Sequence, residues 1–338
     1  MILVVGEALI DLIGHESSGQ GSGQGSGQGS GQSYQPVVGG ANANVALALA
    51  KADVPQRFLA RISQDYFGQT IRNHLELNGV DLSLSVKAEE QTTLAIAAID
   101  ATGVANFSFY VNGTADWAWG ATELPEIDAV QSLRATAIQF GCLTTAIAPG
   151  SKMVADWISK MHSWGEITLS HDVNIRPSLG LKRLSELERV LKINDHSHII
   201  KASDADIEWL FDLASGADLT DIVERWTRAG KVLIVTKGGD GVVVYRGSHV
   251  IEVPAEKIKL ADTVGAGDTF MANFLAKLGD LDALGSEPLA RLSALTPDEL
   301  RSAAEYATAA AAIVCERVGC QPPTRSEVEA RLKRSTAT

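Results

Sequence analysis

The sequence predicts an α/β fold: a mainly parallel central sheet with helices on both faces, plus a small additional β-sheet. Between residues 135 and 235, short apolar runs alternate with longer segments whose apolar residues recur at helical spacing. Such alternation is typical of parallel sheets built from βα units. Between residues 80 and 111 the pattern changes to successive strands, which indicates a separate small sheet.

The individual elements follow from the spacing of apolar residues and from the glycines and prolines between them. Strands are predicted at 2–5, 92–99, 107–111, 135–140, 166–173, 197–201, 232–235 and 257–260. One helix is predicted after Gly40 and ends at about residue 52. Further helices are predicted at 71–78, 151–162, 185–193, 204–213, 219–229, 270–278 and 303–315. Ligands of such sheets bind beyond the carboxyl ends of the strands. The polar residues that follow strands are therefore the candidate site residues.

A low-complexity segment interrupts the first strands. Strand-like pieces near Asp11 and Tyr34 flank a GQGS repeat from Gly19 to Gln32 that has no apolar side chain. A segment that cannot bury apolar surface is expected to be a flexible loop, and we interpret it as the tip of a hairpin. Residues of about 9–38 and 86–116 would then form a β-lid within a single domain spanning residues 1–338.

The composition excludes several classes of protein. Apolar residues make up 45% and charged residues 21% of the chain, which is ordinary for a soluble globular protein. With 41 acidic and 29 basic residues the formal charge is −12, which argues against nucleic acid or an anionic membrane as the main partner. No apolar run is long enough to span a bilayer. The N-terminus lacks the features of a signal peptide, and the three cysteines show no metal or disulfide spacing; both observations favour the cytoplasm.

The stretch from Ala261 to Phe270 carries the strongest chemical signal. Gly265 and Gly267 allow a tight turn before a helix. The N–H groups of residues 265–267 would point outward at a helix N-terminus, where phosphate is favoured. Asp268 lies in that first turn, and a carboxylate beside a phosphate site suits the acceptance of a proton from an attacking alcohol. The alternative is that Asp268 only caps the helix.

Further polar clusters follow other strands. Gly39 and Gly40 precede a helix, with Asn42 a possible cap and Asn44 in the first turn. Asp172, Asn174 and Arg176 lie at the end of the strand predicted at 166–173 and just beyond it, and the arginine offers a fixed fork of donors for an anion or a sugar oxygen. For these residues a surface salt bridge is the alternative. Ser203 and Asp206 follow the strand at 197–201. A structural interpretation is sufficient for them, because Ser203 can cap the next helix and an acidic residue is favoured in its first turn.

Two of these clusters identify a family by resemblance. The string D-T-V-G-A-G-D-x-F at 262–270 resembles the C-terminal signature of the PfkB (ribokinase-like) carbohydrate kinases, and G-G-x-x-x-N at 39–44 resembles their first signature. The resemblance extends from Gly6 to about Pro323. It implies a ribokinase-like fold, ATP and Mg²⁺, and a β-lid that closes over a sugar and carries a homodimer contact. It also suggests a monovalent cation such as K⁺ near Asp262 and Gly319.

The same resemblance implies a role for each candidate residue. Catalysis would rest on the base Asp268, the anion hole of Gly265, Ala266 and Gly267, and Arg176. The sugar would contact Asp11, Gly39, Gly40, Asn44, Tyr110 and Asp172. The nucleotide would contact Lys201, Thr236, Gly238, Gly241 and Gly267, and Asp206 would assist the metal.

Local motifs are closest to the fructokinase-like members of that family. Residues 172–177 resemble their D-P-N-x-R-P segment, with Val173 replacing the usual proline. Val111 stands where related kinases commonly have an arginine, which argues against an acidic sugar. The expected activity is transfer of the γ-phosphate of ATP to a primary hydroxyl of fructose. A 2-keto-3-deoxygluconate kinase, a ribokinase, a nucleoside kinase and a catalytically silent sugar- or nucleotide-binding regulator remain alternatives. An oxidoreductase is disfavoured because no G-x-G-x-x-G follows the first strand.

Deletion of residues 19–32 is predicted to leave the fold intact, because a purely polar repeat contributes no buried apolar surface. Thermal unfolding of the deletion variant and of the full chain checks this. A large fall in melting temperature would show that the repeat packs against the rest of the protein.

Overall fold

The computed structural model describes residues 1–16, 32–99 and 105–335. The strands within these ranges are β1 Ile2–Val5, β2 Leu9–Glu16, β3 Gln32–Gly39, β4 Gln56–Leu59, β5 Arg61–Ser63, β6 Val86–Ala88, β7 Leu94–Ile99, β8 Ala105–Tyr110, β9 Ala137–Gly141, β10 Thr168–Asp172, β11 Ile199–Ser203, β12 Val232–Thr236, β13 Val242–Arg246 and β14 His249–Val253. The α-helices are α1 Ala41–Lys51, α2 Tyr66–Leu77, α3 Ile127–Ser132, α4 Gly150–Trp164, α5 Arg183–His196, α6 Asp204–Phe211, α7 Thr220–Trp226, α8 Ala266–Asp280, α9 Pro288–Ala294, α10 Pro297–Cys315 and α11 Arg325–Ser335.

The central sheet has the strand order β14-β13-β12-β11-β10-β9-β1-β4. Neighbouring strands from β4 through β12 run parallel, and β13 and β14 extend the sheet as an antiparallel edge. The predicted α/β class with a mainly parallel sheet is confirmed. Because parallel strands end on the same side, the loops after β1, β9, β10 and β11 meet at one edge.

Successive side chains of the central strands point to opposite faces of the sheet, and a layer of helices covers each face. Val4 of β1 and Ile234 of β12 pack in one core with residues of α1, α8 and α10. Val5 of β1 packs on the opposite face with α4, and Val235 of β12 packs there with α6 and α7. A strand buried on both faces reads as a continuous apolar run, which is why β1 and β12 were visible in the sequence.

The small sheet has the order β3-β2-β7-β8. Strands β2 and β3 form an antiparallel pair, β7 and β8 form another, and β2 joins them by parallel pairing with β7. The predicted small sheet is thereby confirmed. The strand β6, which the predicted lid included, pairs instead with β5 in a sheet of its own.

The strand predicted at 257–260 is wrong: residues 254–263 have no regular secondary structure. Two of their backbone amides, those of Ala261 and Asp262, donate to the carbonyl of Cys315 at the end of α10. The helix that follows begins at Ala266, earlier than the apolar spacing indicated. The GQGS repeat lies outside the described residues except for Gln32, the first residue of β3.

No helix in residues 1–16, 32–99 and 105–335 is long and apolar enough to cross a membrane.

Replacing Phe274 with alanine is predicted to lower the free energy of unfolding by about 3–5 kcal/mol, the usual cost of deleting a fully buried aromatic ring. Phe274 is completely buried in the core between α8 and the sheet. Denaturant unfolding measures the change, with Leu77→Ala as the control because Leu77 is 86% exposed and its loss should change stability by no more than about 0.5 kcal/mol. Equal effects of the two substitutions would contradict this packing of α8.

Candidate active site between the two sheets

A cleft of about 430 Å³ lies between the carboxyl edge of the central sheet and the small sheet. This volume is within the range of sites for small organic ligands. The central body contributes residues after β1, β9 and β10, Lys201 within β11, and residues at the starts of α1 and α8, and the small sheet contributes Leu9, Asp11 and Phe109. The lining includes Gly40, Asn44, Arg176, Lys201, Gly265, Ala266, Gly267 and Asp268, which the sequence predicted as site residues, together with Glu7, Cys142, Leu143, Asn174 and Ser178.

Asp268 lies in the first turn of α8 and faces the cleft while being 8% exposed. Its Oδ2 accepts a hydrogen bond of 2.8 Å from Nδ2 of Asn44, in the first turn of α1. Burial, and secondly the charge of Asp172, raise the pKa of Asp268 to about 7, while Asn44, Lys201 and Arg176 oppose the rise. A carboxylate with a pKa near neutrality is suited to accepting a proton.

The turn before Asp268 requires glycine at position 265. Gly265 has φ of +77°, in the left-handed region, and a Cβ there would lie 2.3 Å from Sγ of Cys320. The amide of Ala266 donates to the carbonyl of Thr263 at 3.2 Å, so the expectation of three free N–H groups is wrong for Ala266. The amides of Gly265 and Gly267 donate to no acceptor in the described part of the chain. These amides, the dipole of α8 and the cleft beside them form a cradle for an anion.

Two cations border this cradle. Arg176 lines the cleft and is exposed to solvent. Partial desolvation lowers its pKa, but the charges of the surrounding acidic groups outweigh that effect and raise it, so the guanidinium is charged. The ammonium of Lys201 forms a 2.7 Å ion pair with Oδ2 of Asp172. It also lies beside Gly267, where a Cβ would approach Nζ to 3.2 Å. Asp172 is buried beneath the cleft rather than lining it.

The small sheet brings a carboxylate and an aromatic ring to the opposite wall. Burial raises the pKa of Asp11 on β2 to about 6, and the charge of Arg176 opposes the rise. Gly39, the last residue of β3, makes room for this side chain, because a Cβ at position 39 would lie 2.1 Å from Oδ2 of Asp11. Phe109 on β8 lines the cleft, whereas its neighbour Tyr110 is 58% exposed and does not. Adjacent residues of a strand face opposite sides of the sheet.

Glu7 is a cleft residue that the sequence reasoning missed. It follows β1 and is 1% exposed. Its Oε2 accepts hydrogen bonds from Nδ2 of Asn42 at 3.0 Å and from Oγ1 of Thr144 at 2.6 Å. Asn42 is therefore not the helix cap that was considered; Gly40, with φ of +106°, is the residue before α1. The rule that polar residues after a strand are site candidates applies to Glu7 and would have found it.

The remaining predicted residues lie along the same edge but outside the cleft lining. Thr236 ends β12, and Gly238 and Gly241 form the turn into β13, both with positive φ. Asp206 occupies the first turn of α6, where its Oδ2 and Oδ1 accept the amides of Ser203 and Ile175, both at 2.8 Å. Its carboxylate is thus engaged in a capping box. In the described ranges no group of three or more histidine, cysteine or acidic side chains could hold a metal ion.

Comparison with known proteins places this geometry in a family. The profile of the pfkB family carbohydrate kinases matches residues 1–327. The chain is 30% identical to a fructokinase of Rhizobium leguminosarum bv. trifolii over 279 residues, which cover 82% of this chain and 79% of the relative.

Two solved structures share the fold. The fructokinase of Xylella fastidiosa with bound ATP superposes with a TM-score of 0.84 at 24% identity, covering 99% of this chain and 98% of that one. The fructokinase of Vibrio cholerae O395 with bound fructose, ADP and calcium ion superposes with a TM-score of 0.77 at 21% identity, covering 98% of each chain. The match over nearly the whole length, together with the glycine turn and carboxylate at the start of α8, shows that the chain belongs to the pfkB family of carbohydrate kinases.

Proposed function

We propose that this carbohydrate kinase transfers the γ-phosphoryl group of ATP to a primary hydroxyl of fructose. The observation that carries the proposal is the position of Asp268: a buried carboxylate with a raised pKa, in the same helical turn as the unpaired amide of Gly267. A base that lies directly beside an anion cradle can take a proton from an alcohol while the cradle holds the phosphoryl group that the alcohol attacks.

The proposed reaction is an in-line displacement at the γ-phosphorus. The sugar O–H bond breaks and its proton passes to the Asp268 carboxylate. The sugar oxygen forms a bond to phosphorus, and the bond to the β,γ-bridging oxygen breaks, so that ADP leaves. Asn44 holds Asp268 by its 2.8 Å hydrogen bond and thereby fixes the direction in which the carboxylate faces the cleft.

Charge that develops on the transferring group is stabilised by groups already in place. The amides of Gly265 and Gly267 supply donors at a helix N-terminus, and Arg176 supplies a planar cation with several donors. Groups that are fixed before the reaction need no reorganisation during it. ATP would enter as its Mg²⁺ complex, in which phosphate oxygens and water would supply most of the metal ligands and the metal would offset the charge of the phosphates. This fits a cleft edge where the Asp206 carboxylate already accepts two backbone amides.

Fructose is preferred over a sugar acid because of the charge on the small sheet. Strand β2 presents Leu9 and the carboxylate of Asp11 to the cleft, and β8 presents the ring of Phe109, so Asp11 is the charged group on this wall. An acidic substrate would meet a like charge at Asp11, whereas the hydroxyl groups of a neutral sugar can donate hydrogen bonds to it. The relatives named fructokinase support the same choice. Gly39, Gly40 and Asn44 complete the proposed sugar contacts.

The nucleotide would extend from Gly267 towards the turn that contains Thr236, Gly238 and Gly241, past the carboxyl ends of the adjacent parallel strands β11 and β12. Three further properties also belong to the proposal: cytoplasmic location, a monovalent cation near Asp262, and a homodimer through the small sheet. The exposed outer face of β8 at Tyr110 suits such a contact.

Replacement of Asp268 with asparagine or alanine is predicted to lower kcat by a factor of about 10² to 10⁴, the usual contribution of a general base. The affinity for ATP should change little. Turnover is measured by ADP release and nucleotide affinity by calorimetry. Asp280→Asn is the matched control, because Asp280 lies at the far end of the same helix in a surface ion pair. Near-normal turnover of Asp268→Asn would remove Asp268 as the base.

The pH dependence of kcat/KM is predicted to show an acid limb with a midpoint of about 7. Below that pH the Asp268 carboxyl is protonated and cannot accept the sugar proton, so kcat/KM falls about tenfold per unit; above it the rate reaches a plateau. Excess Mg²⁺ keeps the nucleotide as its metal complex throughout. A profile that stays flat from pH 5.5 to 8 would contradict this assignment.

A further inference from the structure

A buried ion pair beneath the cleft has no assigned role in the reaction as proposed. Asp172 ends β10 and Lys201 lies in the middle of β11, and the two are register partners in the parallel pairing of these strands. Asp172 and Lys201 are 3% and 5% exposed, and their charged groups meet at 2.7 Å. Removing two charges from water is unfavourable, and a pair of hydrophobic residues is often as stable. Stability alone therefore gives no reason for this pair.

The pair is in contact with the first turn of α8. A Cβ on Gly267 would lie 3.2 Å from Nζ and 3.6 Å from Cε of Lys201, so the lysine packs directly against the backbone that carries Asp268. Lys201 also lines the cleft, while Oδ1 of Asp172 has no hydrogen-bond partner in the described part of the chain. The ion pair thus lies beside the residue that directly precedes the proposed base.

The two members of the pair act on Asp268 with opposite sign. The charge of Asp172 raises the pKa of Asp268, and the charge of Lys201 lowers it. Removal of one partner would leave the other charge buried and uncompensated, close to the base. Removal of both would leave the net charge near Asp268, and therefore its pKa, nearly unchanged.

On the basis of the proposed role of Asp268, we propose that the Asp172–Lys201 ion pair is a single positioning unit: it packs against the backbone at Gly267 and holds the first turn of α8, and with it Asp268, in place. The rival role for Lys201 is direct contact with a phosphate of the nucleotide. The two differ in one respect: a balanced pair can be replaced by two neutral side chains, whereas a phosphate contact cannot.

Other charged and titratable groups also surround Asp268, and the test must leave them unchanged. They are Glu7 after β1, Asp11 on β2, Cys142 after β9, Arg176 after β10, Asp206 on α6, Asp262 before α8, and Cys320 after α10. All of these residues are retained in the variants with substitutions at positions 172 and 201.

The experiment measures the acid limb of kcat/KM in Asp172→Asn, Lys201→Met and the double variant. Asp172→Asn should move the midpoint down by about one unit and Lys201→Met should move it up by about one unit, as expected for a nearby charge left uncompensated. The double variant should return to within about half a unit of the wild type. Lys231→Met is the control: this half-buried lysine lies before β12, at the opposite end of the sheet, and should leave the midpoint unchanged.

Opposite shifts with recovery in the double variant support the balanced pair. Shifts in the same direction, or no shift, overturn it. A double variant as impaired in kcat as Lys201→Met also overturns it and favours phosphate contact. If Lys201→Met does not fold, the double variant is compared with Asp172→Asn instead. The double variant leaves no unpaired charge, so its midpoint should return towards that of the wild type.

A second readout separates this inference from the proposed function. Titration of the Asp268 carboxyl carbon by ¹³C NMR follows its protonation without any substrate. A protein that phosphorylates no sugar would defeat the proposed function, yet the shifts of Asp268 in the three variants would still support or overturn the pairing.

Discussion

Burial of the Asp268 carboxylate at the start of α8 is the constraint on which the site depends. A negative charge beside unpaired helix amides competes with the anion that those amides would bind, and desolvation makes the charge still less favourable. The surrounding structure offsets this with the amide of Asn44, the guanidinium of Arg176 and the ammonium of Lys201. The result is a carboxyl group whose pKa lies near neutrality, ready to exchange a proton.

The fold brings these groups together from distant parts of the chain. Asn44 and Asp268 are 224 residues apart in sequence, yet α1 and α8 pack side by side on one face of the central sheet. The small sheet then provides the opposite wall with Asp11 and Phe109. The central body thus supplies Asn44, Arg176, Lys201 and Asp268, while Asp11 and Phe109 belong to a separate sheet.

The sequence was informative wherever a local rule decides the structure. Buried parallel strands, the Gly265–Gly267 turn and the helix after it follow from short-range patterns, and so does the candidate base. Contacts between distant segments were not visible: the Asp172–Lys201 pairing depends on strand register, and the choice of Phe109 over Tyr110 depends on which face of β8 turns inward. The prediction of a strand at 257–260 was wrong because a local pattern was not enough. The segment has the alternating apolar residues of a strand, but in the described residues no neighbouring strand pairs with it.

The most direct test of the account is release of ADP from ATP–Mg²⁺ with a panel of acceptors: fructose, 2-keto-3-deoxygluconate, ribose, adenosine and a blank without sugar. The account predicts turnover with fructose, little with the sugar acid because of Asp11, and almost none in the blank. Turnover with 2-keto-3-deoxygluconate in preference to fructose would contradict the specificity argument. Binding of ATP without turnover on any acceptor would contradict the assignment of Asp268 as a working base and would favour a catalytically silent binding protein.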